Sequence, residues 1–172
     1  MDATQLRALQ SPLKEKYRDS PRSAVITLRA KGSLDNNAIA CKVETGRALA
    51  VAGLHPATGG SGAELCSGDM LLEALVACAG VTLKAVSTAL EIPLEKAEVF
   101  AEGDLDFRGT LGVDKEAKVG FQAIRLRFEV ASPATQESLD QLLKLTERFC
   151  VVFQTLRGNA ALSASMHNER PG

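Results

Sequence analysis

The chain has no tryptophan and one tyrosine, and aromatic residues make up 4% of its 172 positions. A core must therefore be built from Leu, Val, Ala and Ile with six Phe, and stacking platforms for bases or sugars are disfavoured. Neither sign of charge is in excess: 20 Lys and Arg stand against 21 Asp and Glu, a net charge of −1. Such a balance offers nothing to hold a phosphate backbone, so no nucleic-acid partner is expected. The four cysteines, at 41, 66, 78 and 150, form no C-x-x-C pair, which argues against zinc-ribbon and thioredoxin-type motifs. The opening residues Met1-Asp2-Ala3-Thr4-Gln5 lack the basic start and apolar run of a signal peptide. The expected compartment is a reducing cytoplasm, where thiols stay free and are structural, catalytic or redox-sensing.

What is present suits an ordinary globular domain. Hydrophobic residues make up 45% and charged residues 24%, enough apolar surface for a core. The length predicts one domain over residues 21–172, preceded by a polar extension over 1–20. In that extension Pro12 and Pro21 break the chain, and Leu6, Leu9, Leu13 and Tyr17 at helical spacing allow a short surface helix. The longest apolar stretch, Met70 to Leu90, is about long enough to cross a bilayer. It carries Glu73 and Lys84 and no flanking basic cluster, so it reads as a helix buried in protein, with no membrane partner.

The remaining pattern predicts strands at Ser23–Ala30, Ala38–Thr45 and Ala48–Gly53, with a hairpin turn over Lys31–Asn37. A glycine-rich loop over 54–67 leads into a helix over 68–90 that Ser67 can cap and Pro93 stops. Strands follow at 95–108 and Phe121–Val130, separated by a loop at Gly109–Lys118. Ser132-Pro133 opens a second helix, Val151–Leu156 suggests a further short one, and Ala160–Met166 reads as a last strand. Strands grouped in hairpins with separate helices give the class α+β. The 68–90 helix is apolar nearly all round and needs cover on every side, which predicts a homodimer with these helices at its centre.

Cys78 sits on an apolar face of that helix with Leu71, Leu75, Thr82 and Ala85 as its helical-spacing neighbours. Cys150 falls at the junction of two helical pieces. Taken alone, each is a small hydrophobe that fills a core. Cys41 reads as a core strand residue, and Cys66, in the loop before the helix, as a passive thiol or a spare redox partner. His55 in the same loop either assists a thiol or sits on the surface. A metal site assembled from His55, Cys66, Cys78 and Cys150 is disfavoured, because no short ligand spacing exists and an apolar helix face is a poor ligand shell.

Two segments give these cysteines a context. Gly68-Asp69-Met70-Leu71-Leu72-Glu73-Ala74-Leu75-Val76-Ala77-Cys78 resembles the reactive-cysteine helix of the OsmC/Ohr family, roughly P-E-x-L-L-x-A-x-x-x-C. Glu147-Arg148-Phe149-Cys150-Val151-Val152-Phe153-Gln154-Thr155-Leu156 resembles its second cysteine motif, roughly A-x-x-x-C-P-[VI]-x-x-x-L. Element order and the glycine-rich loop match as well, so the resemblance spans about residues 23–167. It implies an intertwined α+β homodimer with antiparallel sheets packed on two central helices, and sites at the interface. It also implies thiol-dependent reduction of organic, and in some members hydrogen, peroxides, with no cofactor. Cys78 would attack, Cys150 would resolve through a Cys78–Cys150 disulfide, and an external dithiol (lipoyl or other) would complete the cycle.

Only a thiolate attacks peroxide, and an apolar helix raises a cysteine's pKa, so a nearby cation is expected. In the family this is an arginine of the N-terminal hairpin held by a glutamate. Arg29, with Lys31 beside it, occupies that region here, with Arg22 and Arg47 as alternatives. The glutamate's position, ten residues before Cys78, is Gly68. Asp69 is adjacent, but nine residues turn an ideal helix by about half a revolution net, so it points away from Cys78. Glu64 in the loop could substitute, and so could Glu73, though it too lies well round the helix. Val151 stands where the family often has proline. These departures mark a divergent branch, and they leave open the alternative of a non-catalytic protein that binds an apolar small molecule at the dimer interface.

Overall fold

The computed structural model describes residues 2–20, 31–34, 40–44, 49–112, 114–158 and 160–168. The predicted strand at Ser23–Ala30, with Arg22 and Arg29, lies outside these residues, as does Arg47. The chain begins with α1 (Ala3–Asp19). Asp2 starts it through a reciprocal capping box: the Gln5 amide donates to Asp2 Oδ1 at 2.8 Å and the Asp2 amide to Gln5 Oε1 at 3.0 Å. Contrary to the sequence expectation, Pro12 lies inside the helix and does not end it. The strong helix formers on either side, Leu, Ala, Gln, Lys and Glu, carry the turn across the backbone hydrogen bond that proline lacks.

Strands β1 (Lys31–Leu34), β2 (Ala40–Glu44), β3 (Leu49–Gly53) and β4 (Leu65–Cys66) form one sheet in chain order. The register pairs Lys31 with Glu44 and Leu34 with Cys41, so the expected turn at Lys31–Asn37 begins only after Leu34. β3 and β4 run parallel, Ala52 opposite Leu65 and Gly53 opposite Cys66. This departs from an all-antiparallel arrangement, because the glycine-rich loop doubles back before entering the long helix. A second sheet pairs β5 (Lys96–Leu105) antiparallel with β6 (Phe121–Ala131), with a register shift at Asp104/Leu105.

Helix α2 (Ser67–Ala89) follows β4 directly. Its N-cap is Cys66, with no side-chain capping bond, and Ser67, expected as the cap, is the first helical residue. The helix also ends before Pro93. Glu91 adopts a left-handed φ of 57°, the Ile92 amide donates to Ser87 O at 2.9 Å and the Glu91 amide to Thr88 O at 3.2 Å. This is a Schellman stop, in which the chain's own carbonyls end the helix. By length and composition α2 could cross a membrane, with mean hydropathy 1.7 over its most apolar window. Here its Leu75, Ala79, Leu83 and Val86 are buried in the core.

A short helix α3 (Phe107–Thr110) occupies the first residues of the expected 109–118 loop, capped by Asp106. α4 (Gln136–Phe149) starts later than Ser132-Pro133, because Thr135 caps it through the Ser138 amide. Ser132 instead ties the entry to the end of α2 by donating to Pro93 O at 2.6 Å. α5 (Val151–Arg157) follows at once. Leu75, Ala79 and Cys150 form one buried cluster, and Leu83, Val86 and Leu142 a second. Apolar residues at alternate positions of β5 and β6, among them Val99, Ala101, Ile124 and Leu126, pack on the first cluster. Ala160–Met166, expected as a strand, pairs with nothing among the described residues, and Leu162 and Met166 are each 95% exposed. A strand forms only where a neighbour accepts its backbone, and the described chain provides none there.

Candidate functional site

Cys78 lies midway along α2, half-buried beside the cluster that contains Cys150. Cys150 is 0% exposed. It is the C-cap of α4 and the N-cap of α5 in one residue, with extended φ −72° and ψ 108°. Its amide donates to Thr146 O and its carbonyl accepts from the Gln154 amide, both at 2.9 Å. The Gln154 bond is the first of α5, so the amides of Val151, Val152 and Phe153 precede its hydrogen-bond ladder and need other acceptors. The two sulfur atoms supply them.

These contacts push the two thiols in opposite directions. Burial pushes the Cys78 thiol up, but the Val152 amide, the Cys150 thiol, the Val151 amide and the Thr82 hydroxyl together bring it below its ordinary value. Burial also pushes Cys150 up. The Phe153 and Val152 amides oppose this, while its hydrogen bond to Cys78 and the charge developing there add to it, and Cys150 stays above its ordinary value. The pair thus divides into a thiol that ionises early and a neighbour that keeps its proton and donates it as a hydrogen bond.

Sequence reasoning called for a cation here, and the arginines it named, Arg22, Arg29 and Arg47, lie outside the described residues; it missed the α5 amides. Proline has no N–H, so Val151 in that place was the legible signal of an added donor. Arg148, next to Cys150 in sequence, instead lies over the Phe149 ring, 5.4 Å from its centroid. Glu64 accepts from Ser61 Oγ at 2.9 Å and lies against Gly53, in the loop before β4. Asp69 is exposed in the first turn of α2, roughly 14 Å along the axis from Cys78 at 1.5 Å per residue. It lines a separate cleft of about 380 Å³ with His55, Cys66, Gly68 and Phe107. There His55 stacks on Phe107 with centroids 4.8 Å apart and accepts from the Ala57 amide on Nδ1. His55 and Cys66 therefore belong together, apart from the Cys78–Cys150 pair. Of Cys41 only the backbone is described, paired between Leu34 and Ala52.

The fold has counterparts among known proteins. A family model described as OsmC-like protein matches residues 60–165, more than half of the chain. No curated protein matches. Among solved structures, an OsmC-like protein from Mycoplasma pneumoniae superposes with a TM-score of 0.64 at 18% identity, covering 77% of this chain and 89% of that one. An organic hydroperoxide resistance protein OsmC from Legionella pneumophila gives 0.61 at 18%, over 79% and 93%. The organic hydroperoxide resistance protein OhrB of Bacillus subtilis gives 0.52 at 19%, over 79% and 94%. With two cysteine motifs on the α2 helix and the α4–α5 corner, and with that family match, the chain is a divergent member of the OsmC-like protein family.

Proposed function

We propose that the protein is a thiol-dependent peroxidase acting on organic hydroperoxides, and that Cys78 and Cys150 carry the reaction. The observation that carries this reading is the packing of free Cys78, midway along α2, against the buried cluster that holds free Cys150 at the α4–α5 corner. Cys78 thiolate attacks the terminal peroxide oxygen. The O–O bond breaks, the alkoxide leaves and takes a proton, and Cys78 becomes a sulfenic acid. Cys150 sulfur then attacks the Cys78 sulfur, water departs, and a Cys78–Cys150 disulfide forms. An external dithiol, lipoyl or another, reduces that disulfide by exchange. Val99, Ala101, Val152 and Phe153 around the pair favour an aliphatic hydroperoxide over a polar one. The active form is a homodimer, a reading supported by exposed apolar residues such as Val81 on the uncovered side of α2.

A second reading rests on a different feature, an open cleft of about 690 Å³ between β6 and α4 lined by Leu126, Phe128, Leu139 and Leu143. It would hold an apolar ligand without chemistry. One experiment separates the two. After one equivalent of cumene hydroperoxide and alkylation, peptide mass spectrometry is expected to find the Cys78–Cys150 disulfide in the wild type and sulfenic acid at Cys78 in Cys150→Ser. A folded protein whose two thiols stay reduced and alkylatable rejects the peroxidase and leaves the binding protein.

A further inference from the structure

The β5–β6 pair turns one aromatic ring inward against the alternation of its strand. Along β6 the half-buried residues Ile124, Leu126 and Phe128 pack on the cluster of Leu75 and Ala79 from α2, and strict alternation would point Phe121 the other way. The register shift at Asp104/Leu105 changes this: Leu105 pairs with Phe121 and Asp104 with Ala123, which leaves Gln122 as an extra residue. The bulge re-aims Phe121 onto the inner face, where it is half-buried. Gly103 makes the room for it, since a Cβ there would fall on the ring's Cε1 and Cδ1. On the facing side, a Cβ on Gly68 in the first turn of α2 would stand 3.5 Å from the ring's Cζ. One bulge and two glycines thus seat a single ring between β5 and the start of α2.

That ring is a wall of two clefts. One, of about 330 Å³, is lined by Leu75, Ile124, Leu126 and Phe153, all members of the cluster that packs Cys78 against Cys150. The other is the cleft of about 380 Å³ with His55, Cys66 and Leu72. The two lie in order along α2. Leu75 of the first is one turn before Cys78, and Leu72 and Gly68 of the second lie roughly 9 and 15 Å from Cys78 at 1.5 Å per residue. We propose that Phe121 is a specificity-determining residue, whose ring closes the far end of the cleft beside the thiols and so limits the length of the organic group a hydroperoxide carries there. The proposal rests on reading Cys78 as the attacking thiol. A short alkyl or aryl group fits before the ring, and a longer chain must push the ring out of its seat to reach the second cleft.

The test compares two probe lengths on the full chain. Alkylation of Cys78 by N-ethylmaleimide and by N-dodecylmaleimide is timed by peptide mass spectrometry without peroxide, and reduction of tert-butyl and 1-dodecyl hydroperoxide is then timed with dithiothreitol as reductant. All four probes are uncharged, so Arg157, which also lines the first cleft, does not select between them. Phe121→Ala is expected to raise the long-to-short rate ratio roughly tenfold or more in both series, with the short probes little changed. Gly103→Ala, whose methyl takes the ring's place, should move the ratio the same way. Phe107→Ala opens the second cleft alone and should leave it where it is. Should Phe121→Ala fail to fold, Phe121→Leu gives a smaller shift of the same sign. An unchanged ratio in the folded Ala or Leu variant overturns the proposal, as does a Phe107→Ala ratio that shifts as far as that of Phe121→Ala. A protein that ignores both hydroperoxides while its maleimide ratio shifts would reject the peroxidase and leave the ring as the end of the cleft.

Discussion

At the scale of single residues, Val151 is the most informative position in the chain. It is 70% exposed, so its side chain packs on little, yet its amide is one of the donors that hold the Cys78 thiol down. It is the first residue of α5, where proline is well tolerated, and Cys150 before it already has the extended backbone that a following proline demands. Val151→Pro should therefore keep the fold and its melting temperature while removing one thiolate donor. The expected result is a rise in the Cys78 alkylation midpoint and a roughly threefold to tenfold slower reaction with peroxide at neutral pH. The sign follows from the direction of the shift: the rate climbs as pH rises through a lowered thiol pKa, and the variant's curve lies to the right. A coincident curve would mean that this amide does not reach the thiolate. That Cys78 and Cys150 lie together follows the two motifs read in the sequence. The amides of α5 beside them were not legible, because amides carry no residue signature.

At the scale of elements, the ends of helices proved harder to read than their middles. Periodicity placed α2, α4, β5 and β6 well, since a buried face repeats along the chain. Ser67, Pro93 and Ser132-Pro133 were each sound as stop or start signals, but competing caps nearby took the role. The end of α2 is the clearest case. Glu91 holds the left-handed position that glycine usually fills, and Ile92 beyond it packs on Leu83 and Val86. Its ion pair with Arg7, 3.4 Å long with both side chains largely exposed, contributes little. Glu91→Gly is expected to stabilise the protein by about 0.5–1 kcal/mol, the relief of left-handed strain less the added freedom of the unfolded chain. A urea midpoint lower than wild type would show that the Arg7 contact outweighs the strain.

At the scale of the whole molecule, the question is what covers α2. Val81 is 72% exposed on a helix whose other side carries Leu75, Ala79, Leu83 and Val86 into the core. Leu162 and Met166 add further uncovered apolar surface in an unpaired segment. A second copy of the chain would bury this surface and give 160–166 a neighbour. Val81→Glu is expected to turn a dimer into a monomer by light scattering, with peroxide reactivity lowered if the site needs the partner. A wild-type protein that is already monomeric would reject the assembly. The α+β class and the helix at its centre were legible because composition and patterning report burial. The unpaired last strand was not, because a strand's partner is not written in the strand.

Cys150 belongs to two helices at once, and both hold it: α4 through its amide and α5 through its carbonyl. The backbone at that joint is clamped from each side, which leaves the sulfur a single torsion by which to travel. In the proposed reaction, a disulfide to Cys78 would close by a swing about that bond. It would not wait for a helical turn to melt, an event of the microsecond-and-slower class. In the proposed reaction, a sulfenic acid on Cys78 would find its partner held close by, which would shield it from further oxidation.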